Sequence, residues 1–148
     1  MSINEIHNQK ILEFIYTNKC DLSNANLSEL NANLFNFKNI EELILSDNKL
    51  TTISKEIKKL NNLKWLVLSD NKLEEIPAII SQLNTLEGLF LSGNNLKKLP
   101  KKIIKLQKLK WLSLSDNPNL ELNAEQKSWL KNLQENGCKI LYSESSLK

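Results

Sequence analysis

The amino-acid sequence predicts an α/β solenoid, in which short parallel strands alternate with non-strand segments and a helix covers each end. Two observations predict this class. Four segments share the pattern LxxLxLxxNxL, and each begins 23 residues after the one before it. Apolar residues at helical spacing occur towards the two ends of the chain instead. Because four copies keep one spacing, the repeat is the feature that organises the fold.

The four copies align without gaps. They are IEELILSDNKL (40–50), LKWLVLSDNKL (63–73), LEGLFLSGNNL (86–96) and LKWLSLSDNPN (109–119). The intervening segments repeat as well: ISKEIKKLNN (53–62), IPAIISQLNT (76–85) and LPKKIIKLQK (99–108).

These residues resemble the leucine-rich-repeat family in its 23-residue form LxxLxLxxNxLxxLPxxIxxLxx, and short bacterial members of it in particular. The resemblance covers roughly residues 20–122. It implies a right-handed horseshoe with a parallel β-sheet on the concave side and 3₁₀ or irregular segments on the convex side. It also implies a binding scaffold rather than an enzyme.

Strand geometry assigns the residues of each copy to two faces. Side chains alternate along a strand, so Leu66 and Leu68 point inward while Trp65 and Val67 point outward. One asparagine follows each strand, where its side chain can pair with backbone groups of the bend and stack with its counterparts. These residues are Asn48, Asn71, Asn94 and Asn117.

The ends of the chain depart from the repeat. A capping box of Ser2 and Glu5 opens an apolar pattern at helical spacing, which predicts an N-terminal capping helix over residues 1–19. Residues 20–122 then form one degenerate and four regular repeats. Residues 123–148 are predicted to form a second cap, with a helix from Asn123 to a stop at Gly137, an edge strand and a tail. We expect a single domain.

Composition excludes several classes of protein. The net charge of +3 comes from lysine alone, and the lack of arginine argues against recognition of nucleic acid. No apolar run approaches the roughly 18 residues of a membrane span. The first residues lack a secretory signal, so a cytoplasmic location is expected, with translocation into a host cell left open.

The residues that carry chemistry are too few for catalysis. Cys20 and Cys138 should lie about five strand spacings apart, too far for a disulfide. His7 is the only histidine and lies in the predicted N-terminal helix. We therefore expect a non-catalytic protein with no metal and no cofactor.

The outward positions of the strands vary from copy to copy, and this variation predicts the functional surface. One outward row reads Glu42, Trp65, Gly88 and Trp111, the next reads Ile44, Val67, Phe90 and Ser113, and a flanking row reads Glu41, Lys64, Glu87 and Lys110. An apolar patch with a charged rim is typical of a partner-binding surface.

We assign three roles to this surface. Partner anchors are Trp65, Phe90 and Trp111, apolar contacts are Ile44 and Val67, and orienting charges are Glu42, Lys64, Glu87 and Lys110. Gly88 lies between the two tryptophans and should leave a slot between them.

Three interpretations of this surface stay open beside binding of a protein partner. One is a bacterial effector that acts on a host protein. Another is a small molecule or carbohydrate held between Trp65 and Trp111. In the third, the tryptophans lean inward and close the slot. A monomer or a weak homodimer is compatible with each.

Two further patterns, a lysine-rich stretch and the residues that follow the strands, could serve the fold alone or could bind a ligand. Residues 97–110 are rich in lysine. These lysines form either a solvated face or a patch that binds an acidic partner, an anionic membrane or nucleic acid. Serines and aspartates follow the strands in two columns, which we interpret first as turn residues.

Overall fold

The computed structural model describes residues 17–143, so residues 1–16 of the predicted N-terminal helix lie outside the described part. Within residues 17–143, six three-residue strands form one parallel sheet, in the order in which they follow along the chain. They are β1 (Lys19–Asp21), β2 (Glu42–Ile44), β3 (Trp65–Val67), β4 (Gly88–Phe90), β5 (Trp111–Ser113) and β6 (Lys139–Leu141). The predicted parallel sheet is therefore confirmed.

A 3₁₀ segment follows each of the strands β1 to β4 on the opposite side of the coil. These segments are η1 (Ala32–Asn36), η2 (Lys55–Lys59), η3 (Ala78–Gln82) and η4 (Lys101–Lys105). Asn31 and Ser54 cap η1 and η2 with their side chains. Pro77 and Pro100 precede η3 and η4 in an extended conformation.

The core lies between the sheet and the 3₁₀ segments. The middle residue of each strand points into it, and neighbouring strands align these residues in register: Cys20, Leu43, Leu66, Leu89, Leu112 and Ile140. All but Ile140 are fully or nearly fully buried. Each coil covers its neighbour's apolar side, and a single repeat could not bury these leucines alone.

The predicted asparagine ladder is present beside the core. The Asn71 side-chain amide donates to the carbonyl oxygens of Leu45, at 2.9 Å, and Leu68, at 3.1 Å. Its side-chain oxygen accepts from the Leu50 amide at 3.0 Å. Asn94 repeats these contacts one coil further along. Each asparagine therefore joins adjacent coils through backbone groups that the bend leaves unpaired.

The turn after each strand explains the aspartate column. Asp47, Asp70 and Asp116 have φ angles of 56°, 56° and 55°. Gly93, which replaces aspartate in one copy, has φ 68°. Glycine, asparagine and aspartate are the residues that adopt this left-handed conformation most readily. The exchange of aspartate for glycine thus follows from the backbone.

The C-terminal segment forms helix α1 (Ala124–Glu135), as the sequence predicts. Asn123 and Gln126 form a capping box, and Gly137 follows the helix with φ 87°. The buried Trp129 donates its indole N–H to the carbonyl oxygen of Leu106 at 3.2 Å, which fixes the helix to the last coil. The predicted edge strand follows as β6.

The two cysteines lie at opposite edges of the sheet, as predicted. Cys20 is in β1, and Cys138 directly precedes β6. Both are buried, and neither forms a disulfide. Burial raises the pKa of the Cys138 thiol, which disfavours the reactive thiolate.

Candidate partner-binding face

The side of the sheet that points away from the core brings the outward residues into two rows. The first aligns Glu42, Trp65, Gly88, Trp111 and Lys139. The second aligns Ile44, Val67, Phe90, Ser113 and Leu141. We call these ten residues the outer face. Gly88 and Ser113 are buried, and the other eight retain exposed surface.

Trp65 occupies the space above Gly88. A Cβ atom at position 88 would overlap the six-membered ring of the Trp65 indole and would lie 3.0 Å from Phe90 Cε2. The Trp65 and Phe90 rings stack, with centroids 6.0 Å apart and an interplanar angle of 23°. The prediction of an open slot at Gly88 was therefore wrong: the glycine is needed because a ring already lies over it.

Trp111 is the most exposed of the predicted aromatic anchors, with 36% of its surface accessible. The ammonium of Lys139 lies 4.5 Å from its ring centroid, in a cation–π contact. Leu141 in the same strand is 58% exposed and extends the second row. The sequence predicts the strand β6 but does not place Lys139 and Leu141 on the outer face, because CKILY lacks the repeat pattern that identifies the other strands.

Three of the predicted orienting charges, Lys64, Glu87 and Lys110, form close ion pairs along the N-terminal ends of the strands. Lys64 contacts Glu41 at 2.7 Å, and Lys110 contacts Glu87 at 2.8 Å. The hydrogen bond and charge of Glu41 raise the pKa of the Lys64 ammonium. The hydrogen bond from Lys110 lowers the pKa of the Glu87 carboxyl below its ordinary value of 4.5. These charges largely neutralise each other.

Glu42 lies in the first outward row and pairs more loosely. Its carboxylate is 3.9 Å from the ammonium of Lys19, which occupies the same register position in β1. We call Lys19, Glu41, Glu42, Lys64, Glu87 and Lys110 the N-terminal border. The structure thus places every residue of the predicted site on or beside one side of the sheet.

The C-terminal ends of the strands lead to a different border. Asp47, Asp70 and Asp116 are exposed there, in the left-handed turns. Within residues 17–143, no ion pair involves their carboxylates. We call these three aspartates the C-terminal border.

The lysine-rich stretch lies mostly away from the outer face. Lys97 pairs with Glu74 at 2.7 Å, and Lys110 belongs to the N-terminal border. Four further lysines are exposed in or beside η4: Lys101, Lys102, Lys105 and Lys108. Among the described residues, no cluster of side chains could hold a metal ion, and no helix is long and apolar enough to cross a membrane.

The family described as a leucine-rich repeat region matches residues 10–145. The chain belongs to the leucine-rich-repeat family. Its fold is the solenoid of that family, and the side of the sheet that carries the outer face is the concave side.

Solved leucine-rich-repeat structures share this fold. A leucine-rich-repeat protein of Leptospira interrogans is 38% identical, covers 76% of this chain and has a TM-score of 0.65. The ectodomain of the Arabidopsis thaliana receptor kinase SOBIR1 is 21% identical, with a TM-score of 0.68. The match covers 86% of this chain and 70% of the SOBIR1 chain.

A chain of the Drosophila Toll–Spatzle complex is 20% identical, with a TM-score of 0.63 over 71% of this chain. This chain spans 28% of the length of the Leptospira protein and 15% of the Drosophila chain. Comparison with curated proteins gives no match.

Proposed function

We propose that this leucine-rich-repeat chain is a non-catalytic module that binds a protein partner through the outer face of its sheet. The observation that supports this function is the apolar surface formed by Trp65, Phe90, Val67, Ile44 and Trp111. Domains of this fold commonly mediate protein–protein interactions, and the fold requires only the inward-facing residues of each strand to be apolar. Outward apolar residues therefore need another explanation.

The outer face has the properties of an interface centre. Trp65 is held against Phe90 and over Gly88, so its ring would lose little conformational freedom when a partner packs on it. Trp111 is more exposed and offers a second aromatic contact on the far side of Gly88. Tryptophan is among the residues most enriched at interface hot spots.

The geometry favours a protein over a small molecule at this place. A ligand stacked between Trp65 and Trp111 would need the space above Gly88, which the Trp65 ring fills. A partner that packs across the rows needs no such slot. Protein interfaces use a broad apolar centre with a polar rim, and the rows provide this arrangement.

The experiment uses random phage-displayed peptides of about 12 residues, long enough to cross six strands that are spaced roughly 4.8 Å apart. Peptides selected on the full chain are then measured against the double variant Trp65→Ser/Trp111→Ser. We expect their affinity to fall at least about tenfold, because hot-spot aromatics dominate binding.

Two controls accompany this measurement. Lys101→Ser/Lys105→Ser removes two exposed residues of η4 on the convex side and should leave affinity unchanged. Circular dichroism establishes that each variant is folded. If the selected peptides bind a folded tryptophan double variant as tightly as the wild type, the proposed face is wrong.

A further inference from the structure

The two borders of the outer face differ in charge balance. At the N-terminal border each lysine has a carboxylate partner, through Lys64–Glu41, Lys110–Glu87 and the looser pair Lys19–Glu42. A paired border exerts a weak net field on a ligand, because the fields of opposite charges cancel within a short distance. This border does not select the charge of a partner.

The C-terminal border is not balanced in this way. Asp47 and Asp70 follow adjacent strands, so their backbones are roughly 4.8 Å apart. Like charges at this spacing repel, and a nearby cation would relieve the repulsion. Lys49 and Lys72 follow two residues later, yet neither forms an ion pair with these aspartates.

The negative charge of Asp116 has no lysine two residues later in its own turn. Pro118 stands where the two earlier copies have lysine, and the neighbouring copy has Asn95 at that position. Asp116 also belongs to the coil that carries Trp111, the most exposed of the predicted aromatic anchors. The unbalanced carboxylate and the exposed aromatic ring are thus on one coil.

The spacing allows one partner segment to meet both features. Each aspartate lies three residues beyond the second outward row, as Asp47 does beyond Ile44 and Asp70 beyond Val67. Three extended residues span at most roughly 10 Å. A lysine or arginine next to an apolar residue of the partner can bridge that distance with its long side chain.

We infer that the segment bound by the outer face is both apolar and basic, with lysine or arginine side chains directed at Asp47, Asp70 and Asp116. This inference rests on the proposed function. The apolar rows provide the contact area, and the C-terminal border selects the charge of the partner and its direction across the sheet.

The peptides selected on the wild-type chain provide the test. We expect them to combine an aromatic or aliphatic residue with neighbouring lysine or arginine. Their affinity for Asp70→Asn/Asp116→Asn should fall about three- to tenfold at low salt, as the loss of two exposed charge contacts implies. Asparagine adopts the left-handed conformation of both turns, so the substitution preserves the backbone.

The matched control is Glu29→Gln/Glu75→Gln, which removes two exposed carboxylates that lie outside the outer face and both borders and form no ion pair within residues 17–143. It should leave peptide affinity unchanged. Raising the salt concentration should weaken binding to the wild type more than binding to the aspartate double variant.

The outcomes separate this inference from the proposed function. Peptides that depend on Trp65 and Trp111 but are neutral or acidic, or that bind the aspartate variant as well as the wild type, overturn the inference alone. Peptides that do not depend on the tryptophans overturn the proposed function and the inference with it.

Discussion

The inner and outer faces of the same strands differ in how far their residues vary. On the inner face the middle residue is leucine in β2, β3, β4 and β5. On the outer face the first residues of these strands are glutamate, tryptophan, glycine and tryptophan. Each inner residue has to fit against its counterparts in the neighbouring coils, whereas eight of the ten outer-face residues retain exposed surface. The inner face therefore determines the fold, and the outer face is free to carry function.

The largest expected effect is on the inner face of β3. Leu66→Ala should lower the free energy of unfolding by about 2–5 kcal/mol, because Leu66 is fully buried and its loss leaves a cavity between coils. Val67→Ala, one residue along on the outer face, should cost less than about 1 kcal/mol. Urea denaturation of both variants measures the contrast, and equal losses would contradict it.

The asparagine ladder gives the next largest effect. Asn94→Ala should lower the free energy of unfolding by about 1–3 kcal/mol, because it leaves the buried Leu73 amide without an acceptor. It also removes one of the two side-chain donors to each of the carbonyl oxygens of Leu68 and Leu91. Asn95→Ala, at the exposed neighbouring position, should change stability by less than about 0.5 kcal/mol. Thermal denaturation compares the two, and a similar cost for both would show that the ladder adds little.

Gly88 allows a test of packing on the outer face. Gly88→Ala should lower the free energy of unfolding by about 1 kcal/mol, because the new methyl group displaces Trp65 from its stack on Phe90. The same displacement should change the near-ultraviolet circular dichroism. In a Trp65→Ser background the same substitution should be close to neutral. A double-mutant cycle measures the coupling, and additive costs would mean that Trp65 does not lie over Gly88.

The smallest effect concerns the charges of the N-terminal border. The Lys110 hydrogen bond lowers the pKa of Glu87 in the folded chain, so this carboxylate stabilises the fold above its ordinary pKa of 4.5. The stabilisation is lost as the pH falls through the lowered folded-state pKa. Glu87→Gln should therefore lose less stability than the wild type between about pH 5 and pH 3.

Acid denaturation of Glu29→Gln is the control for this effect. Glu29 is exposed and forms no ion pair within residues 17–143. This variant should follow the wild-type pH profile. A Glu87→Gln profile that also matches the wild type would show that the Lys110 contact does not stabilise the folded chain.

Sequence predicts the scaffold well because the same interaction recurs in each coil. The strands, the inward leucines and the asparagine ladder all follow from one pattern repeated at 23-residue intervals. The left-handed turns were also accessible, since Gly93 in a column of aspartates indicates a positive φ angle. The end strand β6 was predicted from its apolar residues, but its register and the exposure of Leu141 were not.

Sequence predicts the outer face only in part. It places Trp65 beside Gly88 in register but leaves open the rotamer of the indole, which depends on its contacts with Phe90. The alternation of glutamate and lysine in the flanking row also does not show which residues form ion pairs, because Lys64 could approach Glu41, Glu42 or Glu87. These choices depend on side-chain packing between coils and not on any repeated pattern.

The three tryptophans of the chain provide the most direct test of partner binding at the outer face. Trp65 and Trp111 lie on that face, whereas Trp129 is buried and donates its indole N–H to Leu106. Nitrogen-15 NMR resolves their indole signals during titration with a selected peptide. We predict shifts for Trp65 and Trp111 and an unchanged Trp129. A shift confined to Trp129, or no shift at saturation, would contradict binding at this face.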